Sequence, residues 1–243
     1  MLFLLVVFTA ANASAGETSA AQAPDLLGKR LLVVAPESFP YHYSDIETGR
    51  PVGSDITMVR ELSKAAGLSP PDILIVSWNR AIREARSTPA TVVMPLSRST
   101  ARDAEFHWLI KLRTTEFGVF GLEKQMLSPK YIVENDISIF CENGGIQCQL
   151  LEDLGIPKEQ IKLFPGISSD KVVSMALRGR IRYFISEIAI VDAGLKKRNL
   201  PPGTLTQTYT LPDTVDDYLA IHKKNDPALI KALTAAASKF SNN

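Results

Sequence analysis

Short apolar runs alternate along this chain with stretches whose apolar residues recur every three or four positions. Leu31-Leu32-Val33-Val34-Ala35 reads as a buried strand ended by Pro36. Ile56, Val59, Leu62 and Ala66 then share one helical face, with Asp55 placed to cap the helix and Gly67 to close it. Residues 73–76 predict a strand, Trp78 opens a helix carrying Ala81, Ile82 and Ala85, and 92–96 predict a further strand. Residues 117–121 form a strand of small and apolar residues leaving this unit, and a second α/β pattern follows. It comprises a strand at 137–140, a tight turn at Asn143-Gly144-Gly145 and a helix over 149–154 stopped at Gly155. A helix through Val172, Val173, Ala176 and Leu177 starts at Ser168 or Ser169 and closes at Gly179. The strand at 182–185 ends near Glu187, and Pro201-Pro202-Gly203 interrupts the pattern. A last strand at 218–221 precedes a helix started by Asp226-Pro227, with Leu229, Leu233 and Phe240 on its face. The fold class is therefore α/β in two lobes, with a ligand cleft expected between them at the strand ends.

Composition narrows the function. The chain has 243 residues, 45% of them hydrophobic and 22% charged, with a net charge of +1, so no global field favours nucleic acid or an anionic membrane. Residues 2–8 are apolar but too short to span a bilayer, and small-x-small patterns end at Ala15 and Ala23. A secretory signal peptide cleaved after one of these is expected, although the usual basic start is missing. The mature protein is then expected to be exported, without membrane insertion. Its two cysteines, Cys141 and Cys148, suit a disulfide in an oxidising compartment, two buried thiols being the alternative. The scattered histidines His42, His107 and His222 argue against a metal site, and no cofactor motif is present, so neither metal nor cofactor is expected.

The densest chemistry lies in Ser97-Arg98-Ser99-Thr100-Ala101-Arg102, which follows the strand ending at Leu96. Guanidinium groups grip carboxylates bidentately and hydroxyls complete the oxygen shell. Arg102 on one lobe and Glu187 on the other would suit a zwitterion, carboxylate to the first and ammonium to the second. Each residue also has a plainer reading. Trp78 is equally a core residue, Glu187 a surface acid, and Gly144 and Gly145 turn formers. Arg98 is expected to face solvent, and Phe106 and Trp108 to pack under the arginine loop.

In order, these landmarks resemble the amino-acid type of periplasmic solute-binding proteins, family 3, over roughly residues 28–235. They are Phe39-Pro40-Tyr41, Gly53-Ser54-Asp55, Trp78, the segment from Ser97 to Trp108, and Gly179-Arg180-Ile181-Arg182. The resemblance implies a type 2 binding-protein fold, with a signal peptide over 1–23, a first lobe over 24–116, a second over 117–212 and a return segment over 213–243. Hinges are expected near 117–121 and 210–216. It implies that Arg102 and Ser97 hold a ligand carboxylate, that Glu187 and the Pro95 carbonyl hold its ammonium, and that Trp78 with Phe39 or Tyr41 forms aromatic walls. Gly144 and Gly145 would add backbone donors. The implied function is binding of a carboxylate-bearing solute, an amino acid, by a monomer that serves an ABC permease. The alternatives are an enzyme resembling cyclohexadienyl dehydratase, or a sensory module. Three departures accompany the resemblance: Thr88-Pro89-Ala90-Thr91 in place of Gly-x-x-Asp, Arg182 in place of an Asp, and a short C-terminus.

Overall fold

The computed structural model describes residues 28–164 and 169–240. The expected signal peptide, its cleavage points and the cap at Ser168 lie outside the described residues. The chain runs through β1 (Arg30–Ala35), β2 (Tyr43–Ser44), β3 (Pro51–Val52), α1 (Ser54–Ala65), β4 (Ser69–Ile75), α2 (Trp78–Ser87) and β5 (Thr91–Ser97). It continues with α3 (Thr100–Asp103), β6 (Phe106–Gly121), α4 (Pro129–Glu134), β7 (Ile139–Glu142), α5 (Ile146–Asp153) and β8 (Ile161–Phe164). Last come α6 (Ser169–Leu177), β9 (Tyr183–Glu187), α7 (Ile188–Lys197), β10 (Thr206–His222) and α8 (Pro227–Ala237). A single mixed sheet has the order β4-β1-β5-β10-β6-β9-β7-β8, and β2 pairs with β3.

Two parallel sets, β4-β1-β5 and β9-β7-β8, flank an antiparallel pair made of β6 and β10. Parallel strands are covered on both faces, which is why β1 reads as a continuous apolar run. Leu31, Val33 and Ala35 pack with Ile56, Val59, Leu62 and Leu233 on one face. Val34 turns to the other face, with Trp78, Ala81, Ala85 and Phe106. The second lobe repeats the arrangement: Val119, Ile139 and Ile185 pack on one face, and Phe120, Phe184, Val173 and Leu195 on the other.

β6 and β10 are 16 and 17 residues long and pair from Phe106↔His222 to Gly121↔Thr206. Sequence patterning finds only their apolar stretches, because the middles carry Arg113, Thr114 and Glu116 opposite Asp217, Asp216 and Thr214. The ladder loses register between Thr210 and Thr214, inside the window where a hinge is expected.

Three local expectations are corrected. Asp55 does not cap α1. Gly53 occupies the cap with φ 121°, where a Cβ would lie 2.1 Å from the Tyr41 carbonyl oxygen, and Asp55 is buried in an ion pair. The helix expected over 149–154 begins at Ile146, because Gly145 serves as its N-cap. Arg182 precedes β9 and pairs at 2.7 Å with Glu123 instead of joining the strand. The two cysteines form a disulfide between β7 and α5, with Cα atoms 5.4 Å apart. Among the described residues no helix is long and apolar enough to cross a membrane.

Candidate ligand site between the lobes

A cavity of about 60 Å³ lies where β5 and α3 of one lobe face the ends of β7 and β9 of the other. Pro95, Ser97, Arg102 and Trp78 border it from the first lobe, Glu142, Gly145, Gln147 and Glu187 from the second. The strand-end placement is the one expected for ligand groups in open α/β sheets.

Arg102 stands on α3, immediately beyond β5. Its Nη1 donates to the Ser97 carbonyl at 2.8 Å, and its guanidinium carbon lies 5.5 Å from the centre of the Trp78 ring. No carboxylate pairs with it among the described residues. Burial pulls its pKa below the ordinary arginine value, and the negative charge of Asp217 offsets part of that. The guanidinium therefore enters the cleft as a desolvated cation with donors to spare.

Ser97 plays a different part from the one expected. Its hydroxyl donates to Asp217 at 2.6 Å, as does the Thr115 hydroxyl at 2.6 Å, so its proton is committed away from a ligand. What it supplies is its carbonyl, which fixes Arg102. Pro95 borders the cavity.

Across the cleft, Glu187 ends β9 at the N-cap of α7, and Glu142 ends β7. Neither carboxyl has a hydrogen bond or ion pair among the described residues. Glu187 is pushed up to about 8, first by burial and then by the negative charges of Asp217, Asp55 and Glu142, with Arg113 pulling the other way. Burial pushes Glu142 up to about 7. Beside them the Gln147 Oε1 is a buried acceptor with no donor. Glu142 and Gln147 are invisible to helix and strand patterning; the one available signal is Glu142's place at the end of an apolar run before a Gly-Gly turn.

Trp78 is both core and cavity wall. It is 6% exposed, and its Nε1 donates to the Gly144 carbonyl at 2.7 Å, joining the lobes. Gly144 has φ +77°, which favours glycine, and a Cβ there would meet Asn79 Oδ1 at 2.6 Å, so the Asn79 side chain would have to turn aside. The amides expected from this turn are only partly free, since Gly145 N–H donates to the Glu142 carbonyl at 2.9 Å.

The structure does not bring Phe39 and Tyr41 into this cavity. Phe39 packs edge-on against Tyr43 at 5.0 Å, and the Tyr41 ring sits 3.8 Å from the Arg113 guanidinium carbon. Tyr41 borders a neighbouring cavity of about 360 Å³ that shares Glu187. Arg113 draws it there, being itself tied to Asp55 through Nη1 at 3.1 Å and through Nη2. His42 donates from Nδ1 to the same carboxylate at 2.9 Å, and burial lowers its pKa despite that partner. The apolar walls are instead Trp78, Phe117 and Ile146. Arg98 is half-exposed and pairs with Asp103 at 2.9 Å, and Phe106 is buried, both as expected. No group of three or more His, Cys, Asp or Glu residues is arranged to hold a metal among the described residues.

Neither a protein-family model nor a curated protein matches the chain in sequence. Solved structures do match in shape. A histidine kinase sensor domain with similarity to periplasmic binding proteins aligns at TM-score 0.74 and 13% identity, over 88% of this chain and 90% of its own. The arginine-, lysine-, histidine-binding protein ArtJ of Geobacillus stearothermophilus aligns at TM-score 0.71 and 17% identity, over 87% and 89%. An amino acid ABC transporter substrate-binding protein of Streptococcus pneumoniae aligns at TM-score 0.69 and 18% identity, over 87% and 88%. Its fold is that of the two-lobed periplasmic binding proteins, type 2, with the cleft described above between the lobes.

Proposed function

We propose that this chain is an exported binding protein that closes its lobes on a small carboxylate-bearing solute, an amino acid, for ABC-type uptake. One observation carries the reading. A guanidinium without an acidic partner and a carboxyl without a cationic one border the same enclosed cleft from opposite lobes. A zwitterion satisfies both: its carboxylate takes the free Arg102 donors, and its ammonium donates to Glu187. Because contacts come from both lobes, ligand stabilises the closed state over the open one, and closure is the signal a permease reads. The return segment after residue 213 places the moving lobe on two strands. The protein acts as a monomer in the periplasm.

The test is a thermal-shift screen of the mature chain against the amino acids, followed by calorimetry. A ligand at about 100 times its dissociation constant adds about 2.7 kcal/mol. Arg102→Ala leaves the protein folded and removes about 3–5 kcal/mol of binding, enough to abolish the shift. Affinity retained in that variant overturns the site.

A second reading, an enzyme on this scaffold, rests on Glu187, which at about 8 holds its proton at neutral pH inside a closed cavity and so has the state of a general acid. Turnover of a cyclohexadienyl acid by purified protein would establish it. A sensory role has the histidine kinase sensor domain as its structural precedent, and pull-down of a membrane receptor instead of a permease would favour it.

A further inference from the structure

We infer that the solute carries a second positive charge, received by Glu142 and Gln147, so that the cleft selects amino acids with a cationic side chain. This rests on the binding function proposed above. Three carboxyls, Glu37, Glu142 and Glu187, border the cavity against one cation, Arg102. A neutral zwitterion occupies Arg102 and Glu187 and leaves Glu142 with no partner among the described residues. It also leaves the Gln147 Oε1 as a buried acceptor without a donor. Buried polar groups are normally hydrogen-bonded and buried charges paired, so both atoms lack what a ligand would bring. A guanidinium or alkylammonium brings it, with donors for the two oxygens and a charge to set against the carboxylate. A ureido or amide group brings donors alone.

The two acceptors are held as a pair. Glu142 follows Cys141 at the end of β7, and Gln147 precedes Cys148 in the first turn of α5. The disulfide therefore ties the residues directly adjoining both, with the Gly144–Gly145 turn between them. The negative charge of Glu142 also helps raise Glu187, alongside Asp217 and Asp55 and against Arg113, so the carboxyls feel one another across the cavity. Two ionised carboxylates in one closed cleft repel unless the occupant carries two cationic groups.

Calorimetry at pH 8 with L-arginine, L-lysine, L-citrulline and L-glutamine tests this. Arginine or lysine is expected to bind about 100-fold more tightly than the neutral pair, and Glu142→Gln to collapse that preference by about 100-fold. Gln147→Leu, which keeps the charge and removes one acceptor, is expected to weaken the cationic ligand about tenfold. If citrulline or glutamine binds as tightly as arginine and lysine, with loss in Arg102→Ala, the inference falls and the zwitterion site stands. If no amino acid binds, both fall together. A preference for arginine or lysine that survives both substitutions unchanged also overturns it, because the selecting group then lies elsewhere.

Discussion

Replacing Glu187 with glutamine removes one titrating carboxyl from the cleft while keeping its shape. In the closed cleft the carboxyl titrates at about 8 against an ordinary 4.5, chiefly because burial penalises its ionised form. Between those values the folded protein holds a proton that the unfolded chain has released. Stability is therefore complete below about 4.5, falls as pH rises through the window, and levels off above about 8. At about 1.4 kcal/mol per unit, a molecule held fully closed would lose about 5 kcal/mol across it. Swinging the lobes apart wets the carboxyl, so the free energy of opening caps the loss. Each kcal/mol moves the melting temperature of a chain this size by roughly 2–4 °C. Melts of ligand-free wild type and Glu187→Gln from pH 4.5 to 8.5 give the comparison. The wild type is expected to lose several degrees with rising pH, and the variant to fall less steeply and be the more stable at pH 8. Some slope remains in the variant because Glu142, at about 7, titrates in the same window. Parallel profiles, or a variant less stable than wild type at pH 8, would refute the argument that burial of Glu187 raises its pKa.

Three further outcomes follow from particular contacts. Trp78→Phe keeps a ring but loses the 2.7 Å bond to Gly144, about 1 kcal/mol, so affinity should drop about fivefold and small-angle scattering should show a more open particle; unchanged values would mean this bond does not hold the lobes. Asp55→Asn strips the half-buried Arg113 of its carboxylate and should cost about 3 kcal/mol in urea unfolding, whereas a loss within error would show the pair is solvated. Reducing the Cys141–Cys148 bond, with its separation of 7 residues, should cost about 2–3 kcal/mol and lower the melting temperature; an unchanged melt would show that the closed loop is already rigid.

The lobes were legible because their strands are buried on both faces, so β1, β5 and β9 read as apolar runs. The strands joining the lobes were not, because their middles are rich in charged and hydroxyl side chains that break the apolar run. That Arg102 and Glu187 border the cleft was legible from position, Arg102 following β5 and Glu187 ending β9. Glu142 and Gln147 were not, since nothing local separates a cleft-facing Glu from a surface one, and burial arises only when the second lobe folds over. Asp55 misled for a related reason. An acid at a helix start looks like a cap until Arg113, 58 residues later, arrives to claim it. Tyr41 was drawn from the cleft by the same arginine.

The place of β10 in the sheet bears on the order of events during synthesis. This strand lies between β5 and β6, yet it is the last of the chain, and Ser97 meets Asp217 across 120 residues. The two halves of the sheet cannot be joined through β10 until residues 206–222 have left the ribosome, well after β5 and β6 have emerged. Contacts at such separation also form slowly. The sheet is therefore completed late, by a strand that must insert between two partners made before it.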